Sequence, residues 1–516
     1  MTQVAKRQSD IRVNVIINLI RTLTMTILSF VTFPYVTRAL GDQVFGMYTW
    51  ANTFVYYFLV LAKISIPNIA IRECSKVKND REALSTKAQE FFLIQAVTTL
   101  LSFGFECILV FSIPAIRESS QLIFLLSVNF LVGLFSFEWI YIALERHIYM
   151  TVRSITLTAL VALMTYILIR PTTAGINEVY LYALLTISGT ILTTAINLVV
   201  LPRYISFKKT QQYHFLPLLK PLVVLFFISI LVTAYNQTDS FILGFLDNSK
   251  RSVGAYSVGV KGIDIVITLT TSLYTVFMPR ATYYYGKEDK RFYRNLLRYS
   301  FNITLFIAIP AVATMATMAD PICYLVAGSD ANSYQFASIV LAVLASMMIT
   351  FSLADNIYTQ ILLPQKKEKV YLFAMLTAVA LNVGLSLLFG GLIFKDKPVI
   401  GVAVATMVSD VLLLAFLLIF ARDYAVKATF NWNSLKLLGI GIAIGVLSYF
   451  LYPVLESAFS FQGSDPWVGK LLALIVTVLV DAVVYIVGLL LLRENLVSSF
   501  LPSSRRRREA AENEKY

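Results

Sequence analysis

Residues Phe45 to Ile71 read FGMYTWANTFVYYFLVLAKISIPNIAI, an apolar run in which Lys63 is the only charge. A helix of about 20 residues crosses the roughly 30 Å hydrocarbon core of a bilayer, so this run is long enough to span a membrane. Comparable runs recur on both sides of it. The first six expected spans are Ile11 to Val36, Phe45 to Ile71, Phe91 to Ile113, Gln121 to Leu144, a short one at Ile155 to Ile169, and Val179 to Leu201. Six more follow at Leu222 to Phe245, Val253 to Met278, Phe301 to Met318, Phe336 to Leu362, Tyr371 to Phe394 and Val399 to Phe420. Leu437 to Leu455 and Leu471 to Leu492 complete about fourteen. The expected fold class is therefore all-α, a polytopic membrane protein.

Composition agrees. Of 516 residues, 58% are hydrophobic and only 14% charged, with a mean hydropathy of +0.73; an average soluble domain carries roughly a quarter charged. The net charge of +13 raises the question of nucleic acid. The cations instead cluster between apolar runs, as topology signals do, so no nucleic-acid partner is expected. Alternate loops are basic. One side carries Lys6, Arg7 and Arg12, then Arg72, Lys76, Lys78, Arg81 and Lys87, then Arg146 and Arg153, then Arg203, Lys208, Lys209 and Lys220. The same side continues with Arg280 to Arg298, Lys366 to Lys369, Arg422 to Lys436, and a tail bearing Arg493 and Arg505 to Arg508. The opposite loops hold scattered cations such as Arg38, Arg117, Arg170, Lys250, Arg251, Lys395 and Lys397. Both termini are thus expected in the cytoplasm, which requires an even number of spans. The first apolar stretch is too long for a signal h-region and lacks a cleavage motif, so it reads as a retained helix.

Gly46-Met47-Tyr48 precedes Arg72 at the same separation at which Gly254-Ala255-Tyr256 precedes Arg280. Spans one to six and seven to twelve then read as two parallel copies of one unit. The expected organisation is an N-terminal lobe at residues 1–210, a C-terminal lobe at 211–425, two further helices at 426–495 and a basic then acidic tail at 496–516.

Charges inside spans cost about 2.5–3.5 kcal/mol even on insertion scales and so mark cavities or partners. Arg21 and Lys63 each lie nine residues from a flanking loop cation, about 13 Å along a helix, and share one depth. Lys261 lies closer to the opposite face, making the three a lane, although Asp264 one turn on could pair with it. Cations of this kind suit an anionic substrate, with phosphate the natural candidate. Acids in or near spans are Glu106, Glu138, Asp239, Asp264, Asp355, Asp410 and Asp481, each a cavity-wall partner or a coupling-ion candidate. Asp239 stands out within the polar patch Tyr235-Asn236-Gln237-Thr238-Asp239. Trp50, Trp139, Trp432 and Trp467 are expected as interfacial anchors. Pro34, Pro67, Pro279 and Pro310 mark bends. Cys74, Cys107 and Cys323 have no paired spacing, His147 and His214 are the only histidines, and no phosphate loop or metal spacing occurs. No cofactor, no metal and no enzymatic centre are expected.

The stretch Tyr35-Val36-Thr37-Arg38-Ala39-Leu40-Gly41, followed by Phe45-Gly46-Met47-Tyr48, Ile66-Pro67-Asn68 and Arg72-Glu73, resembles the polysaccharide transporter family. The likeness continues through Phe137-Glu138-Trp139, Asp239 and Gly254-Ala255-Tyr256-Ser257. That family, which includes the Wzx-type repeat-unit flippases, belongs to the multidrug/oligosaccharidyl-lipid/polysaccharide exporter superfamily. The resemblance implies two six-helix lobes around a central V-shaped cavity, alternating access driven by an ion gradient or the membrane potential, and an undecaprenyl-diphosphate-linked glycan as substrate. In related lipid II flippases, cations on the first, second and eighth spans meet the diphosphate, and Arg21, Lys63 and Lys261 look like their counterparts. Ser65 stands where family members often carry glycine.

The function expected is therefore flipping of a lipid-linked repeat unit of capsule, exopolysaccharide or another surface glycan across a bacterial cytoplasmic membrane. Membrane lipids and a polysaccharide polymerase are the expected partners. Two alternatives are a drug or metabolite cation antiporter of the same superfamily and a non-transporting partner of a glycan synthase. Unpaired acids in the N-terminal lobe would favour the antiporter.

Overall fold

The computed structural model describes residues 2–170, 176–208, 212–328, 334–460 and 466–492, which are helical with no strand among them. The tail with Arg493 and Arg505 to Arg508 lies outside the described residues, as do Lys209 and the side chains of Lys6, Arg7, Arg12 and Lys220. Among the described residues, eleven helices are long and apolar enough to cross a membrane, or twelve with one bent pair counted as a span. One of these is a 57-residue stretch, Ile20–Lys76, with the length of two spans, and Leu216–Leu246 adds another long apolar helix. Together they account for the fourteen expected. Contacts divide the chain into two compact units, Met1–Gly254 and Ala255–Tyr516.

The first unit begins with α1 (Thr2–Lys63), which is interrupted at Gly41 with φ 72° and ψ 171°. Only glycine occupies that region without strain, so Gly41 separates the first two expected spans. The second span breaks again at Ile64 and Ser65, with φ 37° and 56°, before α2 (Ile66–Lys76) restarts on Pro67. Asp80 then caps α3 (Arg81–Ser112), its carboxylate accepting from the N–H groups of Glu82 and Ala83 at 2.9 and 3.1 Å. After the single turn α4 (Pro114–Arg117) comes the fourth span. It is broken into α5 (Ser120–Gly133) and α6 (Glu138–Ala143), with Phe137 left-handed at φ 46°. α7 (His147–Leu168), α8 (Ile176–Val200) and α9 (Leu216–Leu246) complete the unit, α9 lying against α1.

The two breaks stand side by side because the helices that follow them pack together: Ile66 and Ile69 of α2 share one core with Trp139 and Ile140 of α6 and Phe91 of α3. Both glycines of the repeated Gly-x-Tyr motif serve a single crossing. A methyl on Gly46 would strike the carbonyl of Lys250, and one on Gly254 the carbonyl of Asp42. Each carbonyl lies four residues before the other glycine, so the two backbones meet symmetrically.

Two expected anchors are instead core residues. Trp50 is wholly buried, its indole N–H donating to the Phe241 carbonyl at 3.3 Å and its face covered by the Lys250 ammonium 4.4 Å from the ring centre. Trp139 is buried in the core just described, whereas Trp432 is exposed at the start of its helix. Lys250 is likewise no loose loop cation: it is buried and donates to the Gly244 carbonyl.

The second unit holds most of α10 (Arg251–Gly286), followed by α11 (Lys290–Thr317), α12 (Ala319–Ala327), and the tenth span as α13 (Ala337–Leu344) and α14 (Met347–Ile357). These last two meet at a 42° bend, and a π turn at Tyr358–Leu362 follows. α15 (Glu368–Leu388), α16 (Pro398–Phe420), α17 (Arg422–Thr429), α18 (Trp432–Phe459) and α19 (Pro466–Leu491) complete it. Its interior is stitched by polar side chains. Asn356 donates to Thr304 at 3.1 Å, Gln360 to the Tyr274 carbonyl at 3.2 Å, and Ser448 of α18 to Asp481 of α19 at 2.6 Å. Such bonds hold helices together where lipid offers no hydrophobic contrast.

The outward surface is apolar. On α3 alone, Leu100, Leu101, Ile108 and Phe111 are each more than 60% exposed. A soluble monomer rarely shows so continuous an apolar face, and a bilayer covers it.

Candidate functional site

Within the first unit lies a cavity of about 540 Å³. One wall is the face of α1 that carries Asn52, Tyr56, Leu59 and Lys63, spaced at helical intervals of four, three and four. The other wall comes from α5 (Asn129), the break after it (Ser136), α6 (Glu138), α7 (Arg153, Ser154, Thr158) and α8 (Thr186, Thr190, Thr194). Among its lining residues the ionisable side chains of Lys, Arg, Asp or Glu type are Lys63, Arg153 and Glu138, two basic and one acidic.

The helix breaks place these charges. Lys63 is the last residue of α1, where unpaired carbonyls leave a partial negative charge that favours a cation. Its side chain is exposed within the cavity and, among the described residues, makes no hydrogen bond or ion pair. Glu138 opens α6 next to it, close enough for the two charges to interact. Its carboxylate is 45% exposed while its partner Arg153 is 3% exposed, with Nη2 and Oε1 2.5 Å apart. Arg153 also donates to the side chains of Asn197 and Ser154 and lies over the Tyr149 ring. Asn197 is the hub of this network: its amide donates to the Ser136 carbonyl at 2.7 Å, and its side-chain oxygen accepts from Tyr149 at 3.0 Å. Glu138 is thus held by a fixed guanidinium, and Lys63 supplies the charge left over.

Arg153 was expected in a basic loop. It is instead buried inside α7, because that helix begins at His147, eight residues before the expected start of the fifth span. The signal that would have found it is the shortness of that span, which reaches ordinary length only when Arg153 is included.

Arg21 lies on α1 one turn before Met25, a wall residue, and is partly buried without lining the cavity itself. Asp239 is buried on α9, within electrostatic reach of Tyr57. The remaining candidates belong to the second unit. Lys261 on α10 interacts with Asp264 one turn on. Asp355 on α14 accepts from the Tyr274 hydroxyl, and Asp410 is buried on α16. A second cavity of about 440 Å³, between α11 and α18, is lined almost wholly by apolar side chains and carries no charge. Among the described residues no cluster of His, Cys, Asp or Glu could hold a metal, and the three cysteines are free.

A sequence model described as MatE matches residues 225–388. Comparison with curated proteins gives no match. Among solved structures, the chain shares its fold with one described as lipid II flippase MurJ in an inward closed conformation. The TM-score is 0.55 at 17% identity, over 94% of this chain and 100% of that one. It also shares its fold with the inward-facing conformation of a multidrug resistance MATE family transporter of the MOP superfamily, with a TM-score of 0.61 at 12% identity over 78% and 95% of the two chains. At these identities the likeness is one of fold, and the fold is that of multi-pass membrane transporters. The sequence model described as polysaccharide biosynthesis protein matches residues 11–284, more than half of the chain and the part that carries the Tyr35 to Tyr48 motif; the chain belongs to that family.

Proposed function

We propose that this protein flips an undecaprenyl-diphosphate-linked oligosaccharide repeat unit from the inner to the outer leaflet of a bacterial cytoplasmic membrane, by alternating access. The observation that carries the proposal is Lys63, a basic side chain without a direct partner among the described residues, in a partly polar cavity of a membrane-spanning helical unit. Carrying a charge at such depth costs about 2.5–3.5 kcal/mol on insertion scales, a cost that an anionic ligand offsets. A diphosphate fits that role through charge-assisted hydrogen bonds. Arg21, one turn outside the cavity wall, and Lys261 of the second unit would serve successive positions of the same phosphates. Asp239, Asp264, Asp355 and Asp410 are the candidates for coupling transport to an ion. A polysaccharide polymerase would take the delivered unit.

The test is replacement of Lys63. In cells lacking the native protein, Lys63→Ala should reach the membrane in normal amount yet reduce polymer export at least about tenfold, the loss of one charged hydrogen bond to phosphate. Lipid-linked glycan should then accumulate on the inner leaflet. Full export by this variant would overturn the assignment.

The MatE match supports a second reading, an antiporter of organic cations. Glu138 is the acid that would bind such a cargo, but Arg153 already neutralises it and Lys63 leaves the cavity positive. Efflux of a cationic dye lost on Glu138→Gln and retained on Lys63→Ala would favour that reading instead.

A further inference from the structure

The cavity of the first unit has two levels, and α1 and α8 carry both at the same spacing. At one level lie Lys63 of α1, Glu138 of α6 and the Arg153–Asn197 bond joining α7 to α8. At the other lie Tyr56 and Asn52 of α1, Asn129 of α5 and Thr190 of α8, the last two joined by a 2.8 Å hydrogen bond. From Tyr56 to Lys63 is seven residues, as from Thr190 to Asn197, so the levels are about 10 Å apart along the helices.

The second level is polar without charge. Asn52 is exposed into the cavity and, among the described residues, has no hydrogen-bond partner. Asn129 spends its oxygen on Thr190, which leaves its NH₂ donors without an acceptor among the described residues. Tyr56 lines the same cavity and is 41% exposed. Within a membrane, amides without partners cost about 1–3 kcal/mol each unless something else hydrogen-bonds to them. Neutral donors and acceptors beside an exposed aromatic face match a sugar ring, whose hydroxyls both give and accept and whose C–H face stacks on an arene.

We infer that Asn52, Tyr56, Asn129 and Thr190 form a carbohydrate subsite, starting about 10 Å from Lys63 at Tyr56 and reaching about 16 Å at Asn52, that reads the glycan while Lys63 holds the diphosphate. This rests on the transport reading above. Selectivity then resides in the uncharged level, because Lys63 meets a group that all such lipids share. An amphiphilic cation would have no use for it.

The test uses the purified full chain in lipid nanodiscs and two probes: bare undecaprenyl diphosphate, and the lipid-linked oligosaccharide fraction extracted from cells deleted for this protein. The wild type should prefer the glycan-bearing lipid by about tenfold, the worth of one or two satisfied hydrogen bonds. Asn52→Leu and Asn129→Leu should each cut that preference several-fold while leaving affinity for the bare lipid within about twofold, which also certifies that they fold. Asn52→Ser, which keeps a hydrogen-bonding group, should retain most of it. Lys63→Ala should weaken both probes together. A preference unchanged in the leucine variants, or equal loss for both probes, would overturn the subsite and leave the transport reading standing. If the wild type binds neither lipid, the transport reading fails and takes the subsite with it.

Discussion

A guanidinium has five donors and stays ionised, so it survives out of water only among acceptors. Arg153 finds them in Glu138, Asn197 and Ser154. Arg153→Met removes the counter-charge of Glu138 and one donor to the buried Asn197, and should cost about 1–3 kcal/mol. The readout is a lower melting temperature of the protein in detergent. Adding Glu138→Gln should recover part of the loss, since a neutral amide needs no counter-charge and neighbouring groups do not act additively. A single variant as stable as the wild type would mean the pair holds nothing. Lys63 was legible in the sequence as the lone charge in an apolar run. Arg153 was not, because its partner Asn197 is 44 residues away and only tertiary packing joins them.

The breaks in the second and fourth spans are what turn long helices into a site. Left-handed geometry costs a non-glycine residue roughly 1–2 kcal/mol, and Ser65 and Phe137 both adopt it, supported by the packing of α2 on α6. Ser65 is also tied to Ser229 at 2.8 Å. Its positive φ is a conformation that glycine adopts without strain. The first of these breaks is marked in the sequence by Ser65 and Pro67; the second, at Leu134-Phe135-Ser136-Phe137, is marked only by Gly133 at the end of α5, a weak signal inside an apolar run. The turn between α9 and α10 shows a different kind of control. Burial pushes the Asp247 carboxyl up, but hydrogen bonds from Ser249 at 2.9 and 2.6 Å and from the Ser252 N–H at 2.8 Å outweigh it and hold the group below the usual carboxylate range. A depressed carboxyl contributes its stability above the unfolded value, near pH 4, and loses it as pH falls through the lower folded value. Asp247→Asn should therefore lower the melting temperature at pH 7, and the gap from wild type should narrow progressively below pH 4. A gap independent of pH would show that the turn does not use the charge.

At the scale of the whole molecule, the membrane class follows from composition alone, since no soluble core requires fourteen long apolar segments. The expected orientation rests on a weaker signal, the alternation of basic loops, and under the proposed function it decides which end of the cavity loads. Lys63 lies near the end of its span that leads to Arg72 and Lys76, so the proposed diphosphate cargo, entering from the inner leaflet, would require the basic side to be cytoplasmic. α10 provides the test, because Arg251–Gly286 at 1.5 Å per residue is about 54 Å long and joins a turn expected outside to a loop expected inside. That inner loop and its flanks carry Arg280, Lys287, Lys290, Arg291, Arg294 and Arg298. In a chain with Cys74, Cys107 and Cys323 replaced by alanine, a membrane-impermeant maleimide should label Asn248→Cys in intact spheroplasts, and Lys287→Cys only after lysis. The reverse pattern would invert the molecule and open its positive level to the outer leaflet, where a flippase needs to release its cargo. Labelling of both positions from outside would mean that α10 does not cross the bilayer, and the depth from which Lys63 and Lys261 derive their proposed roles would be lost with it.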